Sequence, residues 1–291
     1  MKKILFATDF SKNAERAFEY ALNLARNHGS KITMLHIFDI PTSWDFPLTE
    51  DPLEMKKQEI IASEKKLADL VQKYIGSDEI LTFDYLVLEN MSVINGILEG
   101  IKKSDAEILV LGNKGASKVK EILVGSTTKA LLEKSPIPVF AVPEDIRHFQ
   151  LKKVLFASDF QKGDLRALKL CIQLLKPFHP EIHVIHVSHS EEVGSEDFIQ
   201  YFKSQVDDLI QYPSIQFEIL YSDNSAKSLI HFIQQNSIDL LVMLEKRRRG
   251  LGEFLFHYDL VKKMEFQSHI PVLSYSEAYL QNLKTREQAK L

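Results

Sequence analysis

Residues 2–10 read KKILFATDF and residues 152–160 read KKVLFASDF. Seven of the nine positions are identical at an offset of 150. The match runs on into a helical stripe. Ala14, Ala17, Phe18, Ala21, Leu22 and Ala25 recur at the spacing of one helix face. At the same offset stand Ala167, Leu168, Cys171, Ile172 and Leu175, with Asp164 breaking the stripe. Cys171 therefore reads as a buried filler rather than a reactive thiol. EILVL (107–111) answers DLLVM (239–243), and PIPVFAV (136–142) answers HIPVLSY (269–275). The chain is a tandem duplication.

Each copy alternates strand and helix. The first gives strands near 3–8, 31–37, 80–88, 107–111 and 137–142, with helices near 12–28, 53–75, 91–103 and 126–134. The second gives strands near 152–157, 181–187, 214–222, 239–244 and 271–275. The first and fourth strands of each copy are short and almost wholly apolar, as buried parallel strands are. This order predicts an α/β fold of two tandem, doubly wound, five-stranded parallel sheets, strand order 3-2-1-4-5, related by a pseudo-two-fold axis. The expected domains are residues 1–144 and 151–276, followed by a polar, helix-compatible tail over 277–291. Unpaired apolar edges are a liability, so strands 137–142 and 271–275 are expected to pair within the chain. A homodimer through the same edges is the alternative. The insertion DIPTSWDFPLTEDPLE (39–54), with the single tryptophan Trp44, is a candidate lid or partner surface, or a loosely ordered loop.

Composition narrows the classes of function. A length of 291 residues suits two cores, and 45% hydrophobic with 26% charged residues is ordinary for a globular protein. A net charge of −4 gives no reason to expect nucleic acid or an anionic membrane as partner. MKKILFATDF does not resemble a signal peptide, and no apolar run is long enough to span a bilayer. One cysteine fits a reducing compartment. The expected location is the cytoplasm.

In an open parallel sheet, ligands bind beyond the carboxyl ends of the strands where strand order reverses. Here that crevice lies between strand one, ending Ala7-Thr8-Asp9, and strand four, ending Leu111-Gly112-Asn113-Lys114-Gly115. Gly112 and Gly115 would let backbone amides approach an anion, and Ser126 and Thr127 open the next helix, a second anion site. Neither a Walker-type loop nor a G-x-G-x-x-G follows a strand. On spacing alone, shaping a turn and holding a ligand stand even as reasons for these glycines.

The pattern G-x2-G-x9-G-[ST], here Gly112, Gly115, Gly125 and Ser126, resembles the ATP-binding signature of the universal stress protein family. ILFATDFSKNAERAFEYA, MLHIFD and SPIPVFAV resemble that family's first, second and last strands with their flanks. By this resemblance the first copy binds ATP with Mg²⁺. Ala7 lies at the mouth and Asp9 near the ribose and phosphates, Thr8 between them belongs to the same site, and the backbone of Ile37 meets the adenine. Leu111 lines the base, and Gly112, Gly115, Gly125, Ser126 and Thr127 wrap the phosphates. Asp9 is the carboxylate at hand for the metal. Ala7 departs from the proline many members have there.

The second copy lacks the cradle. Leu244 and Arg247 stand where the first two glycines would be, and His257 or Tyr258 replaces the third, so a side chain is expected to fill the phosphate space. Asp159 and Val187 match Asp9 and Ile37, and Asp159 is expected to cap the following helix. Arg247, Arg248 and Arg249 form a solvated loop or an anion contact. His183, His186 and His189 do not converge on a metal while their strand stays regular.

The resulting expectation is a regulatory ATP-binding protein with an unidentified protein partner and one nucleotide per chain. The alternatives are a nucleotide-independent scaffold and a weak ATP hydrolase or nucleotidyl-transfer enzyme. No nucleophile or general base is evident beside the cradle.

Overall fold

The computed structural model describes residues 1–40, 51–76, 79–113, 125–146, 149–188, 195–245 and 270–288. The first copy runs β1 (Lys3–Ala7), α1 (Lys12–His28), β2 (Lys31–Phe38), α2 (Pro52–Tyr74), β3 (Phe83–Glu89), α3 (Val93–Ser104), β4 (Ile108–Gly112), α4 (Ser126–Lys134) and β5 (Val139–Val142). The second runs β6 (Lys153–Ala157), α5 (Lys162–Leu175), β7 (Glu181–Ser188), α6 (Ser195–Leu209), β8 (Ile215–Tyr221), α7 (Ser225–Asn236), β9 (Leu240–Glu245), β10 (Val272–Ser276) and α8 (Glu277–Gln288).

Each copy has strand order 3-2-1-4-5 with parallel neighbours throughout. The two halves are joined edge to edge. β5 and β10 pair antiparallel, with Val139 opposite Ser274 and Ala141 opposite Val272, so one ten-stranded sheet crosses the chain. The two expected edge strands thus cover each other, and β3 and β8 become the outer edges.

The alternating side chains of the buried strands feed two cores. Ile4, Phe6, Met34, Val110 and Phe140 face α1 and α2, and their counterparts Val154, Phe156 and Val242 face α5 and α6. Leu5, Ala7, Leu35, Leu109 and Leu111 face α3 and α4, while Leu155, Ile185 and Leu241 face α7. Cys171 is fully buried in the first core, and that burial pushes its thiol pKa far up, as for a filler.

Most boundaries fall within one residue of the sequence reading, and β3, α3 and β5 begin two or three residues later. β5 begins at Val139 rather than 137, because Pro136 and Pro138 have no N–H to donate and Ser135 closes a tight turn on Ile137. β3 begins at Phe83 rather than 80, since Ile80 stands 97% exposed. The tail is helical over α8 and is not uniformly polar in environment: Leu280 is buried and Tyr279 stacks on Tyr275. Most of the 39–54 insertion, Trp44 included, lies outside the described residues. No helix among them is long and apolar enough to cross a membrane.

Candidate functional site

The crevice is built from the β1–α1 turn. The Thr8 N–H donates to Leu35 O, and the Thr8 hydroxyl accepts the Phe10 N–H at 3.0 Å. Phe10 adopts φ 62°, a left-handed conformation costly for an aromatic residue, and its ring packs on His36 with centroids 4.5 Å apart. His36 in turn donates from Nδ1 to Thr8 O at 2.9 Å. The second half repeats every part. Phe160 has φ 57°, Ser158 Oγ accepts its N–H, and His186 Nδ1 donates to Ser158 O. The duplicated D-F dipeptide is therefore explained by a turn both halves need. His186 belongs to this turn, whereas His183 is buried edge-on to Phe232, so the two histidines serve different faces of β7; His189 lies outside the described residues.

On this frame Asp9 is exposed, with Oδ1 accepting the Ser11 N–H at 3.0 Å. Ala7 and Leu111 lie opposite each other in the β1–β4 ladder as a buried floor. Ile37 continues that floor along β2, its side chain lying against Gly96 of α3.

The β4 end meets the α4 start directly. The Gly125 N–H donates to Asn113 O at 2.9 Å, and Thr128 Oγ1 donates to Gly112 O at 3.1 Å. Asn113 and Gly125, on either side of residues 114–124, are therefore in direct contact; Gly115 lies outside the described residues. Helices α1, α2, α3 and α7 are capped by the side chains of Ser11, Asp51, Ser92 and Asn224. α4 starts at Gly125 with no side-chain cap, Ser126 exposed and Thr127 half-buried. Among the described residues no N-cap side chain takes its first N–H groups, and the positive end of its dipole favours an anion. Beside it, Asn113 is 5% exposed, and its Oδ1 has no partner among the described residues.

Gly112 has a different reason for being glycine than its motif suggests. Its φ is not in the left-handed region. A Cβ there would come 2.7 Å from Asn13 Nδ2 and 3.1 Å from the Asn13 backbone. In the second half the partners are exchanged: Gly163 replaces Asn13, and Leu244 replaces Gly112, with a Cβ on Gly163 falling 2.9 Å from Leu244 Cδ2. Leu244 is 2% exposed within the α5-side core. This corrects the expectation that Leu244 fills a phosphate space; it fills the volume Asn13 takes in the first half. Arg247, Arg248, Arg249, His257 and Tyr258 lie outside the described residues.

Asp159 is corrected too. The N-cap position of α5 is Gln161, and the carboxylate that organises the turn is Asp164. Asp164 Oδ2 accepts from Asp159 N–H at 2.9 Å, Gln161 N–H at 3.1 Å and Ser158 Oγ at 3.3 Å. Asp164 read only as a gap in an apolar stripe. Its signal lay in the exchange of Asn13-Ala14 for Gly163-Asp164 at the same offset.

Residues 1–143 match the universal stress protein family. That stretch, just under half of the chain, is similar to the family. A universal stress protein of Methanocaldococcus jannaschii is 25% identical over 147 residues, 48% of this chain and 81% of that one. A universal stress protein of Synechocystis sp. is 22% identical over 268 residues, 84% of this chain and 89% of its own length. The crystal structure of a universal stress protein from Archaeoglobus fulgidus superposes with a TM-score of 0.66 at 21% identity, covering 94% of this chain and 98% of that one. The last similarity is one of fold, and it spans both halves of this chain.

Proposed function

We propose that the N-terminal half binds ATP at the β1–β4 crevice, and that the protein acts in stress response as a nucleotide-dependent regulator rather than as a catalyst of turnover. The observation that carries this reading is the α4 N-terminus. It is the switch-point helix, it has no side-chain cap, and Gly125 ties it to the end of β4. Unpaired amides and a helix dipole at such a place suit a phosphate chain. The buried Asn113 amide oxygen supports the same reading, since a ligand hydroxyl or amino group would satisfy it.

Ala7, Leu111 and the Ile37 backbone then take the base, and Gly112, Gly115, Gly125, Ser126 and Thr127 the phosphates. Among the described residues no group of three His, Cys, Asp or Glu side chains could hold a metal. Mg²⁺ would come with the phosphates, which supply most of its oxygen ligands, and Asp9 would offer one carboxylate. Binding is assigned to the first half alone, because the second lacks the glycine signature. The test is to denature the purified protein and identify the nucleotide released by mass spectrometry. ATP near one equivalent supports the reading; protein without nucleotide that takes none up on incubation favours the scaffold.

A further inference from the structure

Asp164 is a carboxylate with 1% exposure in a half that has no assigned ligand. Burying a charge costs far more than a core position can return unless donors surround it. Here two backbone amides and a hydroxyl converge on one of its oxygens, at the start of α5 where the helix dipole also favours negative charge. Backbone amides of one turn converging on an anion are how such turns bind phosphate and carboxylate ligands; here they are the amides of Asp159 and Gln161, while the Phe160 N–H goes to Ser158 Oγ. In the first half the residue at this position is Ala14, and the turn closes by other means. Ser11 N–H goes to Asp9 Oδ1, and Ser11 Oγ accepts the Ala14 N–H at 3.2 Å.

We propose that Asp164 is a tethered anion that occupies the second crevice from within, so that this half is closed to the anionic ligand the first half takes. The second clause rests on the ATP reading above; the first does not. The neighbouring exchange of Asn13 for Gly163 is matched by that of Gly112 for Leu244 and leaves the same volume filled in both halves. The exchange of Ala14 for Asp164 is therefore the one that separates the two turns.

Two variants of the full-length protein test this. Asp164→Ala leaves three donors facing a carboxylate-sized hole. Its melting temperature is expected to fall by several degrees, and formate is expected to restore much of that saturably, with sodium chloride at equal ionic strength ineffective and the wild type unresponsive to formate. An Asp164→Ala protein as stable as wild type, or one equally indifferent to formate and chloride, overturns the internal-anion role. Ala14→Asp installs the carboxylate in the first half, where Thr8 Oγ1 and the amides of Asp9 and Ser11 stand at the matching positions. It is expected to keep its melting temperature within a few degrees and to lose at least tenfold in ATP affinity by calorimetry. Undiminished ATP affinity in a folded Ala14→Asp overturns the closure. If wild type binds no ATP, the nucleotide reading fails, and the formate measurement still decides the role of Asp164.

Discussion

Asn13 occupies the space a side chain at Gly112 would need, its Nδ2 only 2.7 Å from the place of that missing Cβ. The second half makes the reverse choice, with Leu244 on the strand and Gly163 on the helix. One volume at the mouth of each crevice is filled once, from opposite sides.

The two positions should therefore be coupled in stability. Overpacking a tight core typically costs about 1–3 kcal/mol, so Gly112→Leu alone is expected to destabilise by about that amount. Adding Asn13→Gly should recover at least about 1 kcal/mol, the scale of contacting pairs in double-mutant cycles. Urea unfolding of the four proteins measures it. Additive effects would mean the second half's arrangement is not transferable.

The tandem fold was legible because duplication exposes itself as matched strings; the apolar stripe placed α1, and Ser126 after Gly125 placed the start of α4. The start of β3 was not, since an apolar ILTF run reads as strand whether or not it finds a partner. Asp164 was missed for a related reason: its partners are backbone amides and a hydroxyl, which leave no residue-type signature. The exchange of Asn13 for Gly163 with Gly112 for Leu244 was present in the sequence, but only the packing of α1 on β4 and of α5 on β9 shows that the two changes touch.

Ser276 ties the halves together at the β10–α8 junction. Its buried hydroxyl donates to Ser135 O at 2.8 Å, at the end of α4, and accepts the Tyr279 N–H. Ser276→Ala leaves that buried carbonyl without this donor, and a loss of about 1–3 kcal/mol is expected in chemical denaturation. A neutral substitution would mean water replaces the hydroxyl freely.

Across the same boundary, His28 donates from Nε2 to Leu174 O at 2.8 Å. Burial holds its pKa below the usual histidine value; the hydrogen bond to Leu174 and the Glu107 carboxylate oppose this, and the Met1 amino group adds to it. A depressed folded-state value means the unfolded chain binds the proton more readily. Above about pH 6.5 the group is neutral in both states and costs nothing. As pH falls from there toward the folded value, stability should decline, then level off in this contribution. His28→Gln should flatten the profile between pH 7.5 and 5 measured by urea unfolding; an unchanged slope would assign the acid loss to other groups.

Calorimetric titration of the full chain with ATP and Mg²⁺ tests the central claim most directly. The account predicts a stoichiometry near one, and binding weakened by at least a hundredfold in Gly115→Arg, whose melting temperature stays close to wild type. A stoichiometry near two, or wild-type affinity in Gly115→Arg, would contradict it.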